Sequence, residues 1–306
     1  MNYSNIEIAV LLTCHNRKDK TVRCIQSLLS ANKAFNSMSN GTLEMTIYLT
    51  DDGCTDGTVD AVRELVDFHK LIIIQADGNA FWAGGMRLAW DTAVNSGKSF
   101  DFYFLLNDDT ILLENVFTQL MKTDEYSICN YGKQGVYTAF VSEPDAPQKI
   151  TYGAKIYVNS WIKGAVDLLP SGVPQLCNMP NANILLVSKS VVDRIGILDG
   201  IYTHGAADWD YGMRARSADF PVLTTSCVCG ICEFDHDKGS EEEVKVLAMT
   251  TKERKLFILR PNYFYSDCLK FSYRYQRPKY FFFRVIYYFF VYAPHIYYFI
   301  YKKRGH

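Results

Sequence analysis

An amide and two carboxylates in a row, Asn107-Asp108-Asp109, follow the apolar run Phe102-Tyr-Phe-Leu-Leu106. Five apolar residues are too few for a helix and suit a strand buried on both faces of a parallel sheet. Carboxylates at the carboxyl end of such a strand stand where open α/β sheets bind ligands. Their hard oxygens can hold Mg²⁺ or Mn²⁺ against a phosphate. A polar turn capping a helix that starts near Leu113 would use the same residues, so the triplet decides nothing alone. Three further polar clusters add weight: the turn Thr13-Cys14-His15-Asn16-Arg17, the turn Asp51-Asp52-Gly53, and the glycine-rich stretch from Gly78 to Gly85, with Asn79 and Trp82, that runs on to Arg87. Each follows an apolar run, and in a parallel sheet the carboxyl ends of the strands share one edge, so the four should converge. An acid for a base or ribose, arginine and backbone N–H groups, and a metal at the phosphates together suit a nucleotide diphosphate.

The elements that must position these groups read as strands at 6–12, 45–50, 71–74 and the central run. Helices are expected at 19–30, from the Thr55–Thr58 turn to about 68, and through Arg87 to about 95. Alternating strands and helices imply right-handed crossovers, hence a Rossmann-like, mostly parallel α/β sheet with helices on both faces. From Gly135 the pattern changes. Strands are expected at 135–140, 154–158 and 183–187, with hairpins and loops through the Pro-, Gly- and Asn-rich piece 142–180. A helix at 188–195 precedes Thr203-His-Gly-Ala-Ala-Asp208-Trp-Asp210, which opens a helix through Arg216. Short strands at 222–225 and 227–231 and a helical stretch at 241–260 follow. No internal repeat is present. Residues 1–240 therefore read as one domain, its nucleotide half at 1–110 and a second half at 111–240, with a helical C-terminal region at 241–306.

The 306 residues, 48% hydrophobic and 21% charged, suit one large domain or two intimate halves with a real core. A net charge of −1 gives no case for nucleic acid. Its distribution is uneven: residues 268–306 hold eight Lys or Arg, no Asp or Glu, and 16 of the 40 Tyr and Phe. Nine cysteines without scaffold spacing suggest free thiols in a reducing cytoplasm, and no signal peptide is expected. Cys227-Val-Cys-Gly-Ile-Cys232 with His236 has zinc-like chemistry, but it reads as a strand with no second cysteine pair.

The ordered clusters, over about residues 6–240, resemble glycosyltransferase family 2 with its GT-A fold. The matching stretches are 11–17, 51–58, 78–87, 106–109 and 183–216. The resemblance implies a nucleotide-sugar donor (UDP-, dTDP- or GDP-linked), Mn²⁺ or Mg²⁺ as cofactor, and a saccharide or lipid-linked acceptor bound by the second half. The family's Asp-x-Asp metal motif falls on Asn107-Asp108-Asp109, leaving Asp109 as metal ligand, with Asn107 on the ribose side and Asp108 beside it. Asp51 would contact the base, and Thr13 and Arg17 would line the nucleotide pocket. Asn79, Trp82, Gly85 and Arg87 lie in a stretch similar to the rhamnosyltransferase-type branch that builds surface polysaccharides. Asp208 stands at the family's catalytic base, with Ala207 where a Glu is usual, and His236 resembles a late histidine that helps hold metal and diphosphate. Without the resemblance, Asp208 reads as a helix N-cap.

Residues 280–301 would reach about 33 Å as one helix, enough to cross a bilayer. Arg284, Pro294 and His295 interrupt them and basic residues flank both ends. Phe282, Ile286, Phe289, Ala293, Ile296 and Ile300 would form one apolar face, an aromatic, basic amphipathic helix suited to the inner face of the cell membrane. The alternative is docking on the protein body or a second subunit. Two other functions fit parts of the chain: a sugar nucleotidyltransferase, although residues 13–20 lack the glycine-rich loop such enzymes carry, and a non-catalytic nucleotide-sugar-binding scaffold, allowed by Asn107 and Ala207. Mn²⁺-dependent transfer or donor hydrolysis separates enzyme from scaffold.

Overall fold

The structure, a computed structural model, describes residues 5–39, 41–158, 165–233, 239–261 and 263–302. Its organising strand is β1 (Asn5–Cys14), whose side chains alternate between two cores as period-2 geometry demands. Ile6, Ile8, Val10 and Leu12 face one core, and Ala9 and Leu11 the other. β2 (Thr42–Asp51) pairs parallel on one side of β1 and carries β3 (Leu71–Gln75) beyond it. β4 (Phe102–Leu106), fully buried, pairs parallel on the other side. The crossovers are α1 (Lys18–Met38), α2 (Thr58–Leu65) and α3 (Phe81–Val94). α1 outruns its expected end at 30 because Ala31 and Phe35 continue its buried stripe. Gly84 and Gly85 lie inside α3 rather than in a loop before it.

The second half comprises β5 (Ile111–Leu112), α4 (Val116–Tyr131), β6 (Val136–Glu143), β7 (Ala146–Tyr152), β8 (Lys155–Tyr157), β9 (Ala165–Asp167), β10 (Ile184–Ser188), α5 (Lys189–Ile195), α6 (Ala207–Ser217) and β11 (Val222–Ile231). The main sheet runs β3-β2-β1-β4-β10-β6-β11-β5, with β7 on the side of β6. β1 to β4, β6 and β11 run one way, and β5, β7 and β10 run against them. The sheet is therefore mostly parallel, with α1, α2 and α4 over one face and α3, α5 and α6 over the other. Two short strands expected near 222–231 are one strand, β11, with register shifts that absorb the irregularity at Thr225–Cys229. Residues 142–180, expected as hairpins and loops, contribute β7 to the main sheet and the small β8–β9 pair.

The C-terminal region is helical: α7 (Gly239–Ala248), α8 (Thr251–Leu259), α9 (Phe264–Tyr275), α10 (Arg277–Tyr292) and α11 (Pro294–Lys302). The single helix expected at 241–260 is two, because Thr250 and Glu253 form a capping box that starts α8 afresh. The long helix expected at 280–301 also breaks. Pro294 has no N–H and disfavours helical backbone at Ala293, which sits at φ −138° and ψ 57°. The buried Arg254 donates to the Val291 carbonyl at 2.7 Å, a group this break leaves without its helical partner. Phe290, Val291 and Tyr298 pack with Val246, Ile258 and Tyr265 into a small separate core. The apolar face expected on this segment is not the packed one: Phe282, Phe289, Ile296 and Ile300 are exposed. Among the described residues no helix is long and apolar enough to cross a membrane.

Candidate functional site

The carboxyl end of β4 delivers Asn107, Asp108 and Asp109 to the sheet edge. Asn107 is held on both sides: Trp82 Nε1 donates to its Oδ1 at 2.7 Å, and its Nδ2 donates to Asn183 Oδ1 at 3.1 Å. An aspartate here could accept from Trp82 but could not donate to Asn183, so the amide fits its position. Asp108 is buried, accepting from Arg17 Nη1 at 3.1 Å and Thr21 Oγ1 at 3.2 Å. Burial raises its carboxyl to about 6, Arg17 pulls it down, and Asp109 pushes it up. Asp109 lies nearer the rim, with Arg17 Nη1 at 3.0 Å. The two carboxylates thus already bracket one positive charge, and hard oxygen donors in that placement fit Mn²⁺ or Mg²⁺.

Neighbouring strand ends supply the rest of the edge. Asp51 closes β2, buried, and accepts the Cys54 N–H at 2.7 Å across a tight turn that Gly53 enters at φ 75°. Thr13 near the end of β1 packs directly on α3, where a Cβ on Gly85 would stand 2.1 Å from Thr13 Oγ1. No side chain fits there. Asp52 accepts from the N–H groups of Ala80 and Phe81 at 3.0 and 2.9 Å, so it satisfies the start of α3. Those bonds hold Phe81 at φ 52°, a left-handed conformation a bulky residue rarely adopts.

Asp208 arrives from the other half of the sheet. It is not an N-cap: the cap is Ala206, at φ 60°, and Asp208 lies one residue inside α6. Its buried carboxylate accepts from the N–H groups of Ala182 and Trp209 at 3.2 and 2.9 Å. Burial raises it to about 6, against the pull of those two donors. The following residue, Asn183, bonds Asn107, so two successive residues just before β10 connect the carboxyl end of β4 to Asp208. Asp210 points elsewhere and is fully buried among Arg214, Arg274, Tyr202 and Tyr275. The loop before α6 is fixed from the C-terminal region. Asp267 of α9, fully buried, accepts from the backbone N–H groups of Thr203, His204 and Gly205 and pairs with Lys270 at 2.8 Å.

The edge thus collects Thr13, Arg17, Asp51, Trp82, Gly85, Asn107, Asp108 and Asp109, with Asp208 linked through Asn183. Asn79 and Arg87 do not join that group. Arg87 Nη1 donates to the carbonyls of Asp199 and Tyr202 at 3.1 and 2.7 Å, which makes it a tether for the 199–202 turn. With Asn79, Asp77 and Thr203 it lines a separate open depression of about 660 Å³. His236 lies outside the described residues. Sequence reading missed the roles of Asp52, Asn183 and Asp267. Asp52 was visible as the second acid of its turn, whereas Asn183 and Asp267 act on partners 76 and 62–64 residues away, where no local pattern signals them.

No curated protein matches the chain. Among solved structures, the mannosyltransferase PcManGT from Pyrobaculum calidifontis in complex with GDP-Man and Mn²⁺ is similar at TM-score 0.51 and 13% identity, over 78% of this chain and 60% of that one. S. aureus TarS 1-349 is similar at TM-score 0.47 and 13% identity, over 79% of this chain and 65% of that one. The chain spans less than two thirds of the length of either. The sheet order and its two helical layers are those of a GT-A fold. The model of glycosyl transferase family 2 matches residues 9–159, from β1 through β8 with the acids of β4 inside it.

Proposed function

We propose that the protein is an inverting, divalent-metal-dependent glycosyltransferase that moves a sugar from a nucleotide-sugar donor to a saccharide or lipid-linked acceptor. The observation that carries the reading is the pair of acid centres: Asp108–Asp109 with Arg17 at the end of β4, and the buried Asp208, which accepts from the Ala182 N–H next to Asn183, the partner of Asn107. In this reading Asp51, at the end of β2, contacts the base, and Arg17 the diphosphate. Asp109, with Asp108 behind it, would hold Mn²⁺ or Mg²⁺, which when bound supplies charge neutralisation at the diphosphate. Asp208 takes the proton from the acceptor hydroxyl as its oxygen bonds to the anomeric carbon. The carbon–oxygen bond to the diphosphate breaks on the opposite face, and the nucleoside diphosphate leaves with the electron pair. A carboxyl raised to about 6 is well matched to this task near neutral pH. Such help contributes about 10²–10⁴-fold.

The stretch 78–87 supports a rhamnosyltransferase-like donor site and a place in surface polysaccharide synthesis. Exposed aromatics on α10 and α11, with Arg277, Lys279, Arg284 and Lys302 and no acid, support attachment to an anionic membrane face, which suits a lipid-linked acceptor at the inner side of the cell membrane. The test is a thermal-shift series with UDP-, dTDP- and GDP-sugars, including GDP-Man, with and without Mn²⁺. One nucleotide class should raise Tm only when Mn²⁺ is present. Equal shifts with and without the ion would sink metal dependence, and no shift with any donor would sink the donor site.

A further inference from the structure

Among the described residues, one group of three metal-ligating side chains has all its donor atoms within 4.8 Å of one another: Cys14, Asp51 and Cys54. It lies on the same sheet edge as Asp108–Asp109, but its chemistry differs. We infer that these residues form a second cation site, for a soft or borderline divalent ion such as Zn²⁺ or Cd²⁺. Two sulfurs and one carboxylate oxygen are poor partners for Mg²⁺ or Mn²⁺ and good ones for a thiolate-seeking ion.

The geometry is close to what such an ion needs. Two Zn–S bonds of about 2.3 Å at the tetrahedral angle place their sulfurs about 3.8 Å apart. The Cys14 and Cys54 sulfurs stand 3.7 Å apart. The donors are also held from behind. The Asn16 N–H points at Cys54 Sγ at 3.3 Å, and the Cys54 N–H fixes Asp51 Oδ1 at 2.7 Å. N–H groups aimed at ligand atoms orient and stabilise a metal-bound thiolate. Cys14 and Asp51 are buried, at 3% and 6% exposure, while Cys54 is half-buried, so an ion enters past Cys54 and keeps one position for water. Binding converts two thiols to thiolates, and two protons leave to solvent for each ion bound. The site's net charge is −1 both empty, with two thiols and the carboxylate, and filled, with the ion, two thiolates and the carboxylate. Since Asp51 is the residue assigned to the donor base, a filled site withdraws it, and soft ions compete with the donor; that consequence rests on the proposed function, and the site itself does not.

The test is a titration of the full chain with Co²⁺ and then Cd²⁺ under a non-thiol reductant, following thiolate-to-metal charge-transfer absorption. One equivalent should develop the band in the wild type and in Asp109→Ala. Cys54→Ser should weaken binding by at least about tenfold, and Cys14→Ser should do the same, each with a cooperative melt to show that it folds. No charge-transfer band, or a band of equal strength in both serine variants, overturns the site. A second arm measures nucleotide affinity with and without Zn²⁺. Weakening in the wild type but not in Cys54→Ser supports competition at Asp51, and a site that fills without affecting nucleotide overturns the competition alone.

Discussion

The Arg17 guanidinium bridges Asp109 and Asp108 through one nitrogen, at 3.0 and 3.1 Å, across the mouth of the site. An internal cation therefore stands where a divalent ion would have to act. The Arg17 side chain is 40% exposed, so solvent screens the pair and its strength is modest. At pH 8, above the raised titration of Asp108, Arg17→Ala should tighten Mn²⁺ binding to the nucleotide-free protein by about three- to tenfold, by removing a competitor. Calorimetry at that pH checks it. Unchanged or weaker Mn²⁺ binding would show that Arg17 does not occupy the ion's place.

Asp109→Ala should abolish Mn²⁺-dependent nucleotide binding and leave the melt cooperative. The side chain lies near the rim and takes no part in either sheet core, so its loss leaves packing intact. Equal metal-dependent affinity in mutant and wild type rejects Asp109 as the ligand.

Strands and their polar ends were legible because they are local. The run 102–106 could only be a doubly buried strand, and the turn residues after it could only lie at its carboxyl end. Asp208 was found through its place before a helix, but its reading as a cap fails because Ala206 takes that position in a left-handed conformation no local pattern announces. Arg87 follows a glycine-rich stretch and looks like a phosphate binder. Its real partners, the carbonyls of Asp199 and Tyr202, are set by a fold in which α3 lies against the second half. The amphipathic face of the C-terminal segment was legible as a pattern, and Phe282, Phe289, Ile296 and Ile300 of that face are left exposed. Helical periodicity says which residues share a side, and only packing against α8 and α9 decides which side is covered.

Asp208→Asn should lower kcat by about 10²–10⁴-fold with little change in donor affinity. It should also stabilise the protein in a pH-dependent way. The carboxyl titrates near 6 in the fold and at about 3.9 in an unfolded chain. Between those values the folded protein keeps a proton the unfolded chain has lost, so stability falls as pH rises through the window, and the full cost stands above 6. Two units correspond to an order of about 3 kcal/mol. Urea unfolding should show the asparagine variant more stable than wild type at pH 8 and close to it at pH 4. A gap of the same size at both values would contradict a buried, raised carboxyl. Asp210→Asn should do the reverse, costing about 3–5 kcal/mol, because it breaks buried pairs with Arg214 and Arg274.

Asp267 ties the C-terminal region to the loop that delivers Asp208. Asp267→Ala leaves three backbone N–H groups without their acceptor and Lys270 with the Ile201 carbonyl in place of its ion pair, an order of about 3 kcal/mol. Turnover should fall while donor affinity holds, since the loop supports the base and not the nucleotide side. Restored turnover in Asp267→Glu would support positioning. A variant with normal turnover and lowered stability would confine Asp267 to the fold.

Membrane attachment is tested without removing α10 and α11, because Phe290, Val291 and Tyr298 belong to a core shared with α7, α8 and α9, and truncation would expose it. The outward face carries Phe281, Val285, Tyr288, Tyr292 and Phe299, each more than half exposed, beside basic residues. Replacing Phe281, Val285 and Phe299 together with serine removes apolar area from that face and leaves Phe290, Val291 and Tyr298 unchanged. Each buried apolar side chain contributes about 1.5–3 kcal/mol. Three losses at partial burial should therefore cut binding to anionic vesicles by at least about 100-fold while Tm moves by only a few degrees. Neutral vesicles should bind wild type more weakly than anionic ones, and salt should narrow the difference. Sedimentation with the two vesicle types reads all of this. Equal sedimentation of variant and wild type, at equal stability, would assign the face to a protein partner instead of a membrane.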